Sequence, residues 1–245
     1  MRSLALLLLV LISAFPVHAW TRAVDQKIAL KAAALAPADL RGLIEQFDAD
    51  YKAGLARALD EEGHDTHRYF VLSRQGKLRE KITAESNATV AMIRKGLPMR
   101  QVIERLGYIS HFVADANNPF HVANDHPELN SAQDDFERYL ERRLSKFPTV
   151  FYGLDDKFRL STYLDKTIAR ASSFYPLMHE EYFRGGTLRS SSEFDDRSTA
   201  FGVASVSYSR AVTDVVNLYF HIWREAGGDV RSARVLRGGN LLRNP

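Results

Sequence analysis

Cysteine is absent from the 245-residue chain, so neither a disulfide nor a thiolate metal site can stabilise it. Beyond Phe15, no stretch approaches the ~20 apolar residues of a membrane-spanning helix, and we expect no transmembrane segment. A strong excess of one charge is also missing: 33 Lys and Arg stand against 30 Asp and Glu, which neither requires nor excludes an anionic partner. Strand-like alternation is limited to 150–152. The fold must therefore be held by an apolar core, by metal, or by both.

The N-terminus has the pattern of a secretory signal peptide. A basic residue precedes an apolar run that ends at Phe15, and Val17 and Ala19 place small residues at positions minus three and minus one. The apolar run is shorter than a membrane-spanning helix, which favours cleavage after Ala19 over retention as an anchor. We expect 1–19 to be removed, 20–245 to form one helical domain, and the mature protein to be secreted or periplasmic.

Apolar residues recur at helical spacing through most of the remaining chain. The predicted helices cover 22–35, 39–62, 77–95, 99–117, 131–146, 160–183 and 199–226. Gly96 and Pro119 mark two of the predicted ends, because neither residue favours helix continuation. Tyr219 and Trp223 in the last helix are predicted to be core residues. The sequence predicts an all-α, single-domain multi-helix bundle with six or seven helices.

The strongest chemical pattern lies at 106–121. His111 and Asp115 are four residues apart, so they project from one face of a helix. An imidazole nitrogen and a carboxylate oxygen at that separation can bind one zinc ion. Pro119 stops the helix and allows His121 to turn back toward the same cavity.

This segment resembles the zinc-dependent phospholipase C family and the related single-strand-specific nucleases, in which such a run carries ligands of a three-zinc cluster. The resemblance implies an all-α fold, two or three zinc ions and hydrolysis of phosphodiesters. In that family the mature chain begins with a tryptophan that chelates zinc through its amino group and carbonyl oxygen. Trp20 stands where cleavage would expose it. A terminal amine has a pKa near 8, so a metal displaces its proton at small cost.

The remaining ligand positions also follow from the resemblance. Asp25 stands where the family has a histidine in its first helix. Asp60 matches the carboxylate that activates the attacking water, and His67 matches a zinc ligand, although Asp50 with His64 offers an alternative register. The metal ligands implied are Trp20, Asp25, Asp60, His67, His111, Asp115, His121 and Glu137, with Asp60 also catalytic.

One position departs from the family pattern. The final ligand pair of the family is His-x-x-x-Glu, and here Gln133 replaces the histidine while Glu137 is kept. An amide is a poor zinc ligand, so an ion at His121 and Glu137 needs another donor, from His126 or Asp134. This departure puts hydrolytic activity in question.

Two main functions are therefore expected. The first is an exported zinc-dependent phosphodiester hydrolase, with phospholipid favoured over single-stranded nucleic acid and with peripheral contact with a membrane. The second is a catalytically impaired helical module that binds metal or lipid; a phosphomonoesterase is a third interpretation. The choline-pocket positions of the phospholipases hold Ala23, Glu61 and His64 here, which does not favour phosphatidylcholine.

Overall fold

The computed structural model describes residues 20–61, 63–123 and 127–231, without the side chains of 64 and 127–131. The predicted signal peptide at 1–19 and the candidate donor His126 lie outside the described residues. In the described chain, none of the helices combines the length and the apolar character needed to cross a bilayer.

Helices dominate the described residues, and the predicted all-α bundle is confirmed. The α-helices are α1 Arg22–Ala34, α2 Ala38–Gln46, α3 Asp48–Leu59, α4 Leu78–Arg94, α5 Met99–Asp115, α6 Pro119–Val122, α7 Pro127–Arg143, α8 Leu160–Ser172, α9 Tyr175–Tyr182 and α10 Thr199–Glu225. Short 3-10 turns lie at His64–His67, Leu144–Lys146 and Ser191–Glu193. Within the described ranges, one isolated β-bridge joins Phe70 and Gln75, and no strand forms.

Two predicted helices are each divided in the structure. The predicted helix 39–62 is α2 and α3, because the backbone of Phe47 leaves the helical conformation at φ −113° and ψ 36°. The predicted helix 160–183 is α8 and α9, with Pro176 in the first turn of α9, where a missing N–H costs no hydrogen bond. The short α6 was not predicted. These differences raise the helix number above the six or seven expected.

The segment suspected of strand character, 150–152, does not form a strand. The backbone N–H groups of 150, 152 and 155 donate to side chains of α10 instead, namely Ser209, Thr213 and Asn217, at 3.2, 3.1 and 2.7 Å. These acceptors are spaced by four residues, so they form one polar row along the helix. This row accepts hydrogen bonds from backbone N–H groups that take part in no helix or strand.

Helix α5 forms the centre of the bundle and packs against α1, α3, α4 and α10. All residues from Leu106 to Asp115 are buried. The crossing of α3 and α5 is close because two glycines meet there. A Cβ atom at Gly107 would lie 2.0 Å from the carbonyl oxygen of Tyr51, and one at Gly54 would lie 1.8 Å from that of Glu104. Only glycine fits these two positions, and Gly107 lies one turn before His111 in α5.

Helix α10 supplies much of the core, and Tyr219 and Trp223 are buried as predicted. The Tyr219 hydroxyl donates to the carbonyl oxygen of Leu106 at 3.2 Å and lies 2.6 Å from the Tyr51 hydroxyl. Tyr51 in turn donates to the carbonyl oxygen of Ala29 at 3.0 Å. This buried network ties α1, α3, α5 and α10 together beside the ligand-bearing half of α5.

Candidate metal centre

The polar residues of the 106–121 motif are positioned by the end of α5 and the start of α6. Asn118 caps α6, its side-chain oxygen accepting from the backbone N–H of Phe120 at 3.1 Å, and Pro119 occupies the first turn. His121 then donates from Nδ1 to the carbonyl oxygen of His67 at 2.7 Å, and the N–H of Tyr69 donates to the carbonyl oxygen of His121 at 2.9 Å. These bonds fix the segment that carries His67 against the motif.

Three side chains converge beside the C-terminal half of α5. His67 Nδ1 lies 2.9 Å from Asp115 Oδ2, His111 Nε2 lies 3.1 Å from His67 Nδ1, and His111 Nε2 lies 3.3 Å from Asp115 Oδ2. Donors about 2.0–2.1 Å from a tetrahedral zinc are separated from one another by roughly 3.3 Å. The three atoms thus have nearly the spacing of one face of a tetrahedral zinc site.

The surroundings of this triangle also fit a cation. His111 and Asp115 are buried, and His67 is nearly so. Among the described residues, Asp115 Oδ1 and Asp25 Oδ1 are buried without a hydrogen-bond partner. An unpartnered buried carboxylate oxygen is costly, and a bound cation relieves that cost. Two imidazoles and one carboxylate match the three protein ligands of catalytic zinc sites, which leave a fourth position open.

Asp25 lies behind the triangle rather than in it. Its Oδ2 is 3.1 Å from Nδ1 of His111, the ring nitrogen that faces away from the other two candidate ligands. A carboxylate in that position accepts the Nδ1 proton and aims the Nε2 atom at a metal. Asp25, which the sequence resemblance implied as a ligand, is therefore placed as a hydrogen-bond partner of the candidate ligand His111.

Burial and neighbouring charges shift the pKa values of His111, Asp115 and Asp25. Burial lowers the pKa of His111, but the Asp115 and Asp25 carboxylates outweigh burial and raise it to about 9. Burial raises the pKa of Asp115, but His111 and His67 outweigh burial and lower it. For Asp25, burial prevails over His111 and the pKa is raised. A metal that binds here at neutral pH must displace the proton of His111.

A second polar group lies next to the first. His121 Nε2 and Glu137 Oε1 are 3.8 Å apart, and the amide nitrogen of Gln133 lies 2.9 Å from each. The Gln133 amide oxygen accepts from the Arg68 guanidinium at 3.1 Å. Burial raises the pKa of Glu137, although the neighbouring His121 and the hydrogen bond from Gln133 act to lower it. The predicted ligands His121 and Glu137 are thus close together, with an amide between them.

Asp60 is placed at the surface. Its side chain is 66% exposed, and its Oδ1 accepts from Arg22 at 3.1 Å. In the alternative register, Asp50 pairs with Arg100 at 3.3 Å, and the His64 side chain lies outside the described residues. Over the described ranges, the group of three convergent metal-ligating side chains is His67, His111 and Asp115, without either aspartate.

Glu61 is the acid of this segment that faces α5. Its carboxylate accepts from the hydroxyl of Tyr108 and from Nζ of Lys81, the latter at 2.9 Å. Its charge contributes to the raised pKa of His111, after burial and the two aspartates. The sequence offered no reason to prefer Glu61, since a single acid next to Asp60 has no distinguishing pattern. Arg68, which contacts Gln133, likewise carries no sequence pattern that distinguishes it from other arginines.

Trp20 is fully buried, and its indole Nε1 has no hydrogen-bond partner among the described residues. It stands directly before α1, the helix that carries Asp25. The side chain of Trp20 therefore anchors the start of α1 in the core.

The fold has counterparts among solved structures. The alpha toxin of Clostridium absonum matches with a TM-score of 0.62 and 14% identity, over 86% of this chain and 65% of the toxin chain. The Clostridium perfringens alpha-toxin from an avian strain matches with a TM-score of 0.55 and 14% identity, over 84% of this chain and 65% of the toxin chain. No protein-family model and no curated protein sequence matches. The chain thus has the fold of about two thirds of each clostridial alpha-toxin chain.

Proposed function

We propose that this protein is a zinc-dependent phosphodiester hydrolase of the phospholipase C type. The observation that carries the proposal is the triangle of His67 Nδ1, His111 Nε2 and Asp115 Oδ2, with edges of 2.9 to 3.3 Å. The alpha-toxin fold and the sequence resemblance both support it. When bound, zinc acts as a Lewis acid that polarises a phosphoryl oxygen and offsets the negative charge of the transition state.

The protein contributes a rigid and largely dry binding site. Asp25 holds the tautomer of His111 through Nδ1. The Phe112 ring lies against both histidines, with ring centroids 5.0 Å from His67 and 5.3 Å from His111, and shields them from solvent. Low local polarity strengthens the interaction of these ligands with a cation and with an anionic substrate.

Glu61 is proposed as the general base, and Asp60 is the residue against which this role must be tested. The hydrogen bonds from Tyr108 and Lys81 hold the Glu61 carboxylate on the side of α5 that bears His111. Asp60 is held outward by Arg22. A general base must lie within hydrogen-bond reach of the proton that it removes, directly or through one water, and this favours Glu61.

Phospholipid is the proposed substrate class, with single-stranded nucleic acid second. A phospholipid substrate implies transient contact with a membrane surface rather than insertion of a helix. We also propose that the protein is exported and that removal of 1–19 exposes the amino group of Trp20 as a further zinc ligand. The apolar run at the N-terminus and the small residues before Trp20 support this part of the proposal.

A second candidate function is a metal- or lipid-binding module without turnover. The observation that favours it is the side chain of Gln133, which satisfies His121 and Glu137 without a metal. In that case zinc would bind at His67, His111 and Asp115 for structural reasons only.

The test is zinc analysis and activity of protein purified from the periplasm after natural processing. We expect bound zinc, and phosphate-ester release from phosphatidylethanolamine or phosphatidylglycerol vesicles, with slower cleavage of single-stranded DNA and of bis-nitrophenyl phosphate. Asp115→Ala should abolish both zinc and activity, whereas Asp165→Ala, at an exposed aspartate, should change neither. Zinc without hydrolysis of any of these substrates would establish the binding module instead. Absence of zinc would overturn both functions.

A further inference from the structure

We propose that the side chain of Gln133 takes the place of a second metal ion. The described side chains of the centre then bind one zinc ion. The inference rests on the proposed function only in assuming that the first ion binds at His67, His111 and Asp115. What carries it is the amide nitrogen of Gln133, which lies 2.9 Å from both His121 Nε2 and Glu137 Oε1.

The orientation of the amide follows from its neighbours. A guanidinium can only donate hydrogen bonds, so the group of Gln133 that faces Arg68 at 3.1 Å must be the carbonyl oxygen. The NH₂ group then faces His121 and Glu137. Arg68 is thus a positioning residue that sets which end of the amide meets the two candidate ligands.

The hydrogen bonds of His121 agree with this arrangement. Its Nδ1 donates to the carbonyl oxygen of His67 at 2.7 Å, which leaves Nε2 with a lone pair in the neutral ring. One amide hydrogen of Gln133 points to that lone pair and the other to Glu137 Oε1. Both amide hydrogens therefore occupy lone pairs that an ion would need.

An amide and a metal ion satisfy the same two atoms in different ways. Zinc accepts lone pairs from an imidazole and a carboxylate, and the NH₂ group of Gln133 offers each of them a hydrogen instead. An ion that used these lone pairs would have to displace both hydrogen bonds and then gain little, because an amide is a poor zinc ligand. His121 and Glu137 are buried, so leaving either without a partner is costly, and the amide removes that cost without an ion.

The test is the zinc content per chain of wild type and of Gln133→His, by mass spectrometry and by titration with Co²⁺, whose absorption bands report each occupied site. We expect one zinc for wild type from the side-chain site and one more in Gln133→His, because the new imidazole replaces a donor of hydrogens with a donor of a lone pair. Gln101→His, at an exposed position of α5, is the matched control and should add none.

The amino group of Trp20 is proposed above as a further zinc ligand. The zinc content is therefore measured on protein with one extra residue before Trp20, which blocks this amino group. Two ions in wild type under these conditions, or no gain in Gln133→His, would overturn the inference. Retention of the single ion in His111→Ala would also overturn it, because the ion would then lie elsewhere. Absence of zinc in wild type overturns the proposed function alone, and the gain or lack of gain in Gln133→His still decides the role of the amide.

Discussion

Two neighbouring groups of polar side chains, each containing histidine and a carboxylate, differ in their hydrogen bonding in this protein. The first group, His67, His111 and Asp115, brings three potential ligand atoms together and leaves Asp115 Oδ1 buried without a hydrogen-bond partner among the described residues. The second, His121, Gln133 and Glu137, has each atom that faces the centre of the group in a hydrogen bond. Ligand residues alone therefore do not identify a metal site. Among the described residues, the two groups differ in that the first leaves a buried carboxylate oxygen without a hydrogen-bond partner, whereas in the second an amide lies between the imidazole and the carboxylate.

The largest expected effect comes from removing a residue of the first group. His111→Ala should abolish zinc binding and should also destabilise the metal-free protein by about 3 kcal/mol or more, because Asp25 and Asp115 lose their buried partner. Zinc analysis and urea denaturation measure these effects. Glu137→Gln in the second group should leave the zinc content unchanged. Equal zinc loss in both variants would erase the difference between the groups.

The first group also depends on the close crossing of α3 and α5. Gly107→Ala should destabilise the protein by about 3 kcal/mol and lower zinc affinity, because its Cβ would meet the carbonyl oxygen of Tyr51. An added Cβ at Gly202 in α10 would have no atom within 4 Å apart from the neighbouring backbone of its own helix, so Gly202→Ala should be neutral or stabilising. Thermal denaturation with and without zinc measures both variants. A tolerated Gly107→Ala would mean that α5 can shift without disturbing His111.

Asp25 distinguishes the groups by orienting a candidate ligand. Asp25→Asn should weaken zinc binding by about 10- to 100-fold while leaving the fold intact, because the amide no longer accepts the Nδ1 proton as strongly. Competition with a chromogenic chelator gives the affinity, and Asp165→Asn on the surface is the control. Complete loss of zinc would indicate that Asp25 is itself a ligand, as the sequence predicted.

The pH dependence of zinc binding follows from the raised pKa of His111. Because that pKa is about 9 in the metal-free protein, zinc must displace one proton at neutral pH, and apparent affinity should fall up to about tenfold per pH unit below 9. The stability of the metal-free protein depends on pH in the opposite direction. The stabilisation that a charged His111 gives the metal-free protein is complete below pH 6.5 and is lost as pH rises through 9.

Calorimetry of zinc binding in buffers of different ionisation enthalpy counts the protons released. A zinc affinity that does not change between pH 6 and 8 would mean that His111 is neutral before the metal binds.

The smallest effect is expected at Asp60. Asp60→Asn should change stability by less than about 0.5 kcal/mol, since the carboxylate and Arg22 are both largely exposed. Glu61→Gln should reduce turnover more than Asp60→Asn, because Glu61 faces α5 and contacts Tyr108. Turnover with vesicles at saturating zinc compares the two variants. A larger loss in Asp60→Asn would restore the catalytic role that the sequence resemblance gave to Asp60.

Helical periodicity and helix-ending residues were enough to predict the fold class and most helix positions. The predicted helix 99–117 corresponds to α5 at Met99–Asp115, because Pro98 and the Asn118-Pro119 pair mark its limits in the chain itself. The break at Phe47 carries no such residue. It arises where α2 and α3 must each turn an apolar face to the same core, which depends on contacts distant in sequence.

The residues of the site could likewise be predicted only in part. The spacing of His111 and Asp115 determines that they share a helix face, whereas His67 came only from the family resemblance. Periodicity cannot specify which nitrogen of His111 meets Asp25, or that the amide of Gln133 meets His121. Those are contacts between side chains on different elements, with partners 86 and 12 residues apart.

The sequence by itself determined an all-α chain with one helix that carries His111 and Asp115, because local spacing and helix-ending residues act within a few turns. Only the tertiary structure decided that His67 joins them, that Asp25 lies behind His111, and that Asp60 points to solvent. It also decided that Gln133 occupies the lone pairs of the neighbouring group. The physical reason is that hydrogen-bond satisfaction in a buried site depends on how separate elements pack, and no local pattern encodes that packing.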